Sequence, residues 1–186
     1  MSPPRTALLG YALLGLLHMK PSSGYDIRKI FAMTPMGSFS DSPGAIYPAL
    51  RRLEGDGLIR GKIENGSSLR RRKVFHLTAA GTTAFKQWLN RSVTHENVVR
   101  NLDELMLRFS FMEQVTSETA IVRFLKAVQR ELEAYIPSLR EHLDAHKTVL
   151  PRSGRLALES GVRSYETLLE WSKYAITSYE KEVKQS

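Results

Sequence analysis

From Leu58 the hydrophobic period of this chain changes to two, in a sequence whose other apolar stripes recur at helical spacing. Ile59, Gly61 and Ile63 alternate with Arg60, Lys62 and Glu64, and Asn65-Gly66 follows as a strong hairpin signal. The return strand reads Arg71 to Leu77, and Ser67-Ser68-Leu69 makes the connection longer than a two-residue turn. The fold class is therefore mainly α with one small β-hairpin.

Ahead of the hairpin, Thr6 to His18 reads as a helix apolar on nearly every face, hence buried. Lys20-Pro21-Ser22 breaks it. Ser23, with Asp26 three residues on, resembles a capping box opening a second helix through about Phe31. Thr34 to Asp41 reads as a loop. Ser42-Pro43 then offers an N-cap and a first-turn proline for a third helix, which Gly55 and Gly57 end. At 100° per residue, Leu50 and Leu53 fall within about 40° of Ile46 and form its buried stripe. Gly44, Ala45, Tyr47, Pro48, Arg51 and Arg52 take the opposite side. By propensity, Pro48 should bend this helix, because a mid-helix proline crowds the carbonyl four residues back. Thr78-Ala79-Ala80-Gly81 opens a fourth helix carrying Phe85, Trp88 and Leu89.

The second half consists of longer stripes. Leu102, Leu105, Met106 and Phe109 mark one helix. After Thr116-Ser117-Glu118, a longer helix carries Ile121, Phe124, Leu125, Val128, Leu132, Tyr135, Ile136, Leu139 and Leu143, with a kink expected at Pro137 and an end near Leu150-Pro151. The last helix, Arg155 to about Lys184, shows Leu158, Val162, Tyr165, Leu169, Trp171 and Ile176. Helices of roughly 30 residues reach about 45 Å, so these need a partner chain, or each other, to bury their stripes. Two domains follow, 1–90 and 91–186. Leu125, Val128, Leu132, Ile136, Leu139, Val162, Tyr165, Leu169 and Trp171 are the candidate dimerisation residues of the second.

Charge separates the halves more sharply. Residues 1–90 hold 13 Lys and Arg against 5 Asp and Glu, a surplus equal to the whole net charge of +8, while the rest of the chain is balanced. A polyanion is the partner such asymmetry suggests, with an anionic membrane surface and plain solubility as the other readings. No apolar run approaches the roughly 20 residues of a membrane span. The apolar stretch Ala7 to Leu17 follows Arg5 as a secretory signal would, but Lys20-Pro21 stands where a cleavage site should be. With no cysteine there is no disulfide, thiolate catalysis or cysteine-held zinc, and a cytoplasmic location is expected.

Catalytic patterns are poor. His142 and His146 are spaced i, i+4 as two metal ligands would be, yet Leu143-Asp144-Ala145 lacks the glutamate of a metalloprotease helix. Serines 38, 40 and 42 have no nucleophile-elbow context, and no phosphate loop is present. Neither enzyme activity, cofactor nor metal is expected. Tyr165, Trp171, Tyr174 and Tyr179 are compatible with a pocket for a flat aromatic effector, and equally with core or dimer packing.

Three helices followed by a hairpin make a winged helix-turn-helix, a fold that reads double-stranded DNA. Small Gly44 and Ala45 let the third helix approach the major groove, with Tyr47, Pro48, Arg51 and Arg52 on the same face. The wing carries Arg70, Arg71, Arg72 and Lys73, which either meet the DNA backbone or protect a sheet edge. The expected function is a DNA-binding regulator. The rivals are an effector sensor of the same architecture and a basic membrane-surface or adaptor protein.

The stretch Gly24-Tyr25-Asp26-Ile27, then Ser42-Pro43-Gly44-Ala45-Ile46-Tyr47-Pro48-Ala49-Leu50-Arg51-Arg52-Leu53-Glu54, Gly57-Leu58-Ile59 and Arg72-Lys73-Val74-Phe75-His76-Leu77-Thr78-Ala79-Ala80-Gly81, resembles the PadR family of transcription regulators. The likeness covers roughly residues 6 to 90. Ser160 to Tyr165 and Glu170-Trp171 are similar, more loosely, to the helical dimerisation domain of longer PadR members related to virulence-gene activators. The resemblance implies sequence-specific DNA binding as a homodimer, and repression by occluding a promoter is expected rather than activation. It also implies a continuous third helix, because a proline after the tyrosine belongs to the family pattern. Phe75 departs from the family's usual tyrosine, and Gly55 from its usual charged residue.

Overall fold

The computed structural model describes residues 5–34, 43–65 and 71–182, and the chain forms two compact units. The first comprises Met1–Arg91 together with Leu107–Val115, the second Ser92–Met106 together with Thr116–Ser186. The serines at 38, 40 and 42, the segment 35–42, the turn residues 66–69 and Arg70 lie outside the described residues.

In the first unit, helix α1 (Arg5–Met19) buries Leu9, Ala12, Leu13, Leu14, Leu16 and Leu17, as its all-round apolar sequence requires. Helix α2 (Gly24–Met33) opens with the expected capping box: the Asp26 amide donates to Ser23 Oγ, and the Ser23 amide to the Asp26 carboxylate. A 3₁₀ turn (Pro43–Ala45) leads into α3 (Ile46–Gly55). Because α3 begins at Ile46, Pro48 falls in its first turn, where the missing N–H had no helical partner to lose. The expected bend is thereby avoided. The chain leaves α3 through Gly57, at φ 71°, with the Leu58 amide donating to Leu53 O and the Gly57 amide to Glu54 O. This is a Schellman closure, and it requires a residue at ease with positive φ.

Strands β2 (Ile59–Asn65) and β3 (Arg71–Leu77) pair antiparallel from Ile59↔Leu77 to Asn65↔Arg71. A two-residue strand, β1 (Ser22–Ser23), adds to the other side of β3 through Ser22↔Phe75 and Ser23↔Val74, giving the order β1-β3-β2. Two residues are too few to carry an alternating pattern, so sequence gave no sign of β1. The inward set expected on β2 holds only at Ile59, 2% exposed; Ile63 is 65% exposed. Helix α4 (Ala79–Leu89) starts at Thr78, whose hydroxyl accepts from the Gly81 amide. A Cβ at Gly81 would lie 2.0 Å from the Leu58 carbonyl oxygen, so only glycine lets α4 sit this close to the chain entering β2.

Helix α6 (Leu102–Met112) divides between the units, and its second half completes the first core. Phe111 meets Phe85 edge-on at 5.6 Å between ring centroids, and a Cβ at Gly15 would lie 2.5 Å from the Phe111 ring. Tyr11 stacks on the buried Trp88 at 4.5 Å. Arg108, 1% exposed, donates to the carbonyls of Leu89 and Arg91, closing the C-terminal end of α4. The stripe expected on α6 is thus redistributed: Leu105, Leu107, Phe111 and Met112 are buried, whereas Met106 and Phe109 are only half-buried.

In the second unit, short helix α5 (His95–Arg100) is opened by a capping box between Thr94 and Asn97 that sequence reading passed over. Helices α7 (Glu118–His146) and α8 (Arg152–Glu182) pack against each other. α7 runs unbroken as one element through Pro137, which the sequence expected to kink it, and α8 begins three residues before the expected Arg155. Three ion pairs link the two helices: Lys126–Glu180, Glu133–Lys173 and Arg140–Glu166. Each step forward of seven on α7 is matched by seven backward on α8, so the helices are antiparallel with a heptad seam. Exposed pairs like these add little stability, but they fix register.

Leu125, Val128, Leu132, Ile136 and Val162 are buried within the single chain. α5 and α8 both pack on α7, and this burial leaves little of these side chains exposed. Of the candidate dimerisation residues, Leu139, Tyr165, Leu169 and Trp171 stay half-buried.

Phe111→Ala should destabilise the protein by about 3–5 kcal/mol, the usual cost of emptying a ring-sized site in a core. Denaturant unfolding measures it. A loss under about 1 kcal/mol would mean that the second half of α6 contributes little to the first core.

Candidate nucleic-acid interface

The site is built on the two faces of α3. Ile46, Ala49, Leu50 and Leu53 are buried, and this fixes the helix's rotation. Gly44, Pro48, Arg51 and Arg52 are consequently exposed, Ala45 half-exposed and Tyr47 42% exposed. Tyr47 does not swing freely. A Cβ at Gly24 would stand 2.6 Å from its Cε1, so the ring lies against the first residue of α2, and glycine there makes the room.

On the wing, Arg71, Arg72 and Lys73 are all exposed, and Val74 and Phe75 are buried. Arg72 and Lys73 have acidic partners among the described residues. Arg72 lies 3.6 Å from the Asp26 carboxylate, and Lys73 Nζ donates to Glu54 Oε2 at 2.7 Å. The other oxygen of Glu54 accepts from the Gly61 amide at 3.0 Å. Glu54 at the end of α3 therefore holds both strands of the wing, a role that the sequence reading did not give it. Its signal was visible only in three dimensions, because nothing in the sequence marks Glu54, Gly61 and Lys73 as neighbours across α3, β2 and β3. The hydrogen bond from Lys73 holds the Glu54 carboxyl below its ordinary value, against a smaller opposing effect of burial. The Ser23 hydroxyl does the same for Asp26. Phe75, where the resemblance led one to look for tyrosine, packs in the core with Lys73 Nζ 5.2 Å from its ring centroid.

Other candidate centres are weaker. His142 and His146 are in ring contact, with His146 Nδ1 2.8 Å from the His142 carbonyl oxygen. Among the described residues, no group of three or more side chains is placed to hold a metal ion, and no helix is long and apolar enough to cross a membrane. The Tyr165 hydroxyl donates to Val99 O at 3.3 Å and its ring meets Tyr135 edge-on, while Tyr174 is exposed. Burial, with a smaller contribution from Tyr135, raises the Tyr165 phenol above its ordinary value.

A three-helix scaffold with an exposed third-helix face and a basic antiparallel wing defines a winged helix-turn-helix protein. Residues 13–87 match the transcriptional regulator PadR-like family. The negative transcriptional regulator PadR of Bacillus subtilis is 32% identical over 124 residues, which is 66% of this chain and 66% of that protein. Among solved structures, B. subtilis PadR in complex with operator DNA is 24% identical over 96% of this chain and 99% of its own, with a TM-score of 0.45. The same protein in complex with p-coumaric acid is 21% identical over 96% and 99%, with a TM-score of 0.44. The chain belongs to the PadR-like family of transcriptional regulators, which are not enzymes.

Both carboxylates titrate lower in the folded chain than their ordinary values of 3.8 for Asp26 and 4.5 for Glu54. Their stabilisation is accordingly complete above those values and is lost as pH falls through the lowered ones. Unfolding midpoints of the wild type and Glu54→Gln should differ near neutral pH and converge as pH drops below 4.5. A gap that stayed constant down to about pH 3 would show that the Glu54 charge carries none of it.

Proposed function

We propose that this protein is a homodimeric, cytoplasmic repressor that binds double-stranded DNA through residues 1–90 and dimerises through residues 91–186. The observation that carries this reading is the exposed face of α3, held outward by the burial of Ile46, Ala49, Leu50 and Leu53, in the half that holds the whole net charge of +8. Gly44 and Ala45 let the start of the helix enter the major groove, Tyr47 and Pro48 present shape and an aromatic edge, and Arg51 and Arg52 meet base edges or phosphates. Arg71 and Arg72 lie on the wing and Arg70 precedes them in the sequence; a contact from these cations to the DNA backbone would be non-specific. The name of the B. subtilis relative, a negative regulator, supports repression. Dimerisation falls chiefly to the half-buried Leu139, Tyr165, Leu169 and Trp171, since the rest of the predicted set is already buried within the chain. A small aromatic effector is part of the proposal. Trp171 would report its binding, whereas Trp88 is sealed in the first core.

Tyr47→Ala should weaken binding to a selected duplex by roughly 1 to 3 kcal/mol and leave a scrambled duplex nearly unaffected. Paired titrations measure this, and equal losses on both duplexes would remove Tyr47 from sequence reading. Light scattering should give twice the chain mass for the full protein and the chain mass for residues 1–115, the truncation that keeps Phe111 and Arg108 in the first core. A dimeric 1–115 would place the dimer contact elsewhere.

A further inference from the structure

Lys73 closes the densest run of positive charge in the chain, yet its ammonium is already engaged. It lies 2.7 Å from Glu54 Oε2 and 5.2 Å from the Phe75 ring centroid. The lysine stem reaches Glu54 by crossing diagonally over β2, and it passes where a side chain at position 61 would be. A Cβ at Gly61 would stand 2.0 Å from Lys73 Cε and 2.8 Å from Glu54 Oε1. With its second oxygen Glu54 takes the Gly61 amide at 3.0 Å, so one carboxylate at the last turn of α3 is bound to both β2 and β3. Arg72 is held differently. Its contact to Asp26 is 3.6 Å long between side chains about half exposed, a pair that a phosphate can displace.

We propose that Lys73 is a positioning residue and not a DNA contact: through Glu54 and the empty position at Gly61, it fixes the angle of the wing against the recognition helix and so sets discrimination between operator and other DNA. The inference rests on the DNA-binding reading above. A half-exposed ion pair adds little to stability. Its use here is geometric, because α3 and the wing must reach one duplex at the same time, and a wing free to tilt would grip any backbone equally well. Glu54 also keeps one cation off the phosphates, lowering affinity for every sequence and leaving the preference to α3.

The test uses the full-length protein and two duplexes, one selected by the wild type from a random pool and one scrambled, titrated over a range of salt. Lys73→Met should leave the slope of log affinity against log salt unchanged while cutting the preference for the selected duplex by about tenfold. Glu54→Gln should cut the preference similarly and steepen the slope by up to about 0.9, since it frees Lys73 for a phosphate. The double variant should lose no more preference than either single one, and Lys73→Arg should retain it. A flatter slope with unchanged preference in Lys73→Met would make Lys73 a phosphate contact. Unchanged slope and preference in both single variants, or fully additive losses, would also overturn the proposal. If the wild type selects no duplex, the DNA-binding reading itself falls. Hydrogen exchange of the Gly61 amide in free protein tells the two failures apart: protection that is lost in Glu54→Ala means the clamp exists, and an unprotected amide in the wild type means it does not.

Discussion

The burial of one side of α3 is the constraint from which the rest of the first unit follows. A helix ten residues long has one rotational freedom about its axis, and Ile46, Ala49, Leu50 and Leu53 remove it. Once they are inside, Tyr47, Arg51 and Arg52 have nowhere to go but outward. The ends are fixed as firmly. The 3₁₀ turn places Pro48 where a proline costs no hydrogen bond, and Gly57 reverses the chain so that Leu58 leads directly into β2.

Features with a local cause were legible in the sequence. The helical stripe of α3, the capping box at Ser23 and Asp26, and the exposed face of α3 each depend on residues within a few turns of one another, and they were found where expected. Features that depend on a distant neighbour were not. β1 exists because Val74 and Phe75 offer it a free edge, and nothing in Ser22-Ser23 announces this. The same blindness hid Glu54. Read along its helix, it is a charged residue near a C-terminus; across the fold, it is the point where two strands are tied to α3.

The long helices teach a related lesson. A heptad stripe states that a helix has a partner, but not which one. Leu125, Val128 and Leu132 suit a second chain or a neighbouring helix equally well in the sequence, and they are buried within the chain, where the short segment between His146 and Arg152 lets α8 fold back on α7. The small connection decided the matter. Charge pairs at seven-residue intervals then hold the two in one register, and the residues left half-covered, Leu139 and Trp171 among them, become the more informative ones.

The division of α6 bears on how such a protein can be recombined. Because Leu107–Val115 belongs with the first unit while Ser92–Met106 belongs with the second, the chain passes from one unit to the other three times. Neither unit is a single contiguous cassette. A chimera joined at the end of α4 would carry a foreign residue against Gly15 and a foreign side chain over the carbonyls of Leu89 and Arg91, where Phe111 and Arg108 now sit. Exchange of the N-terminal half between relatives is therefore conservative only when the later half of α6 travels with it.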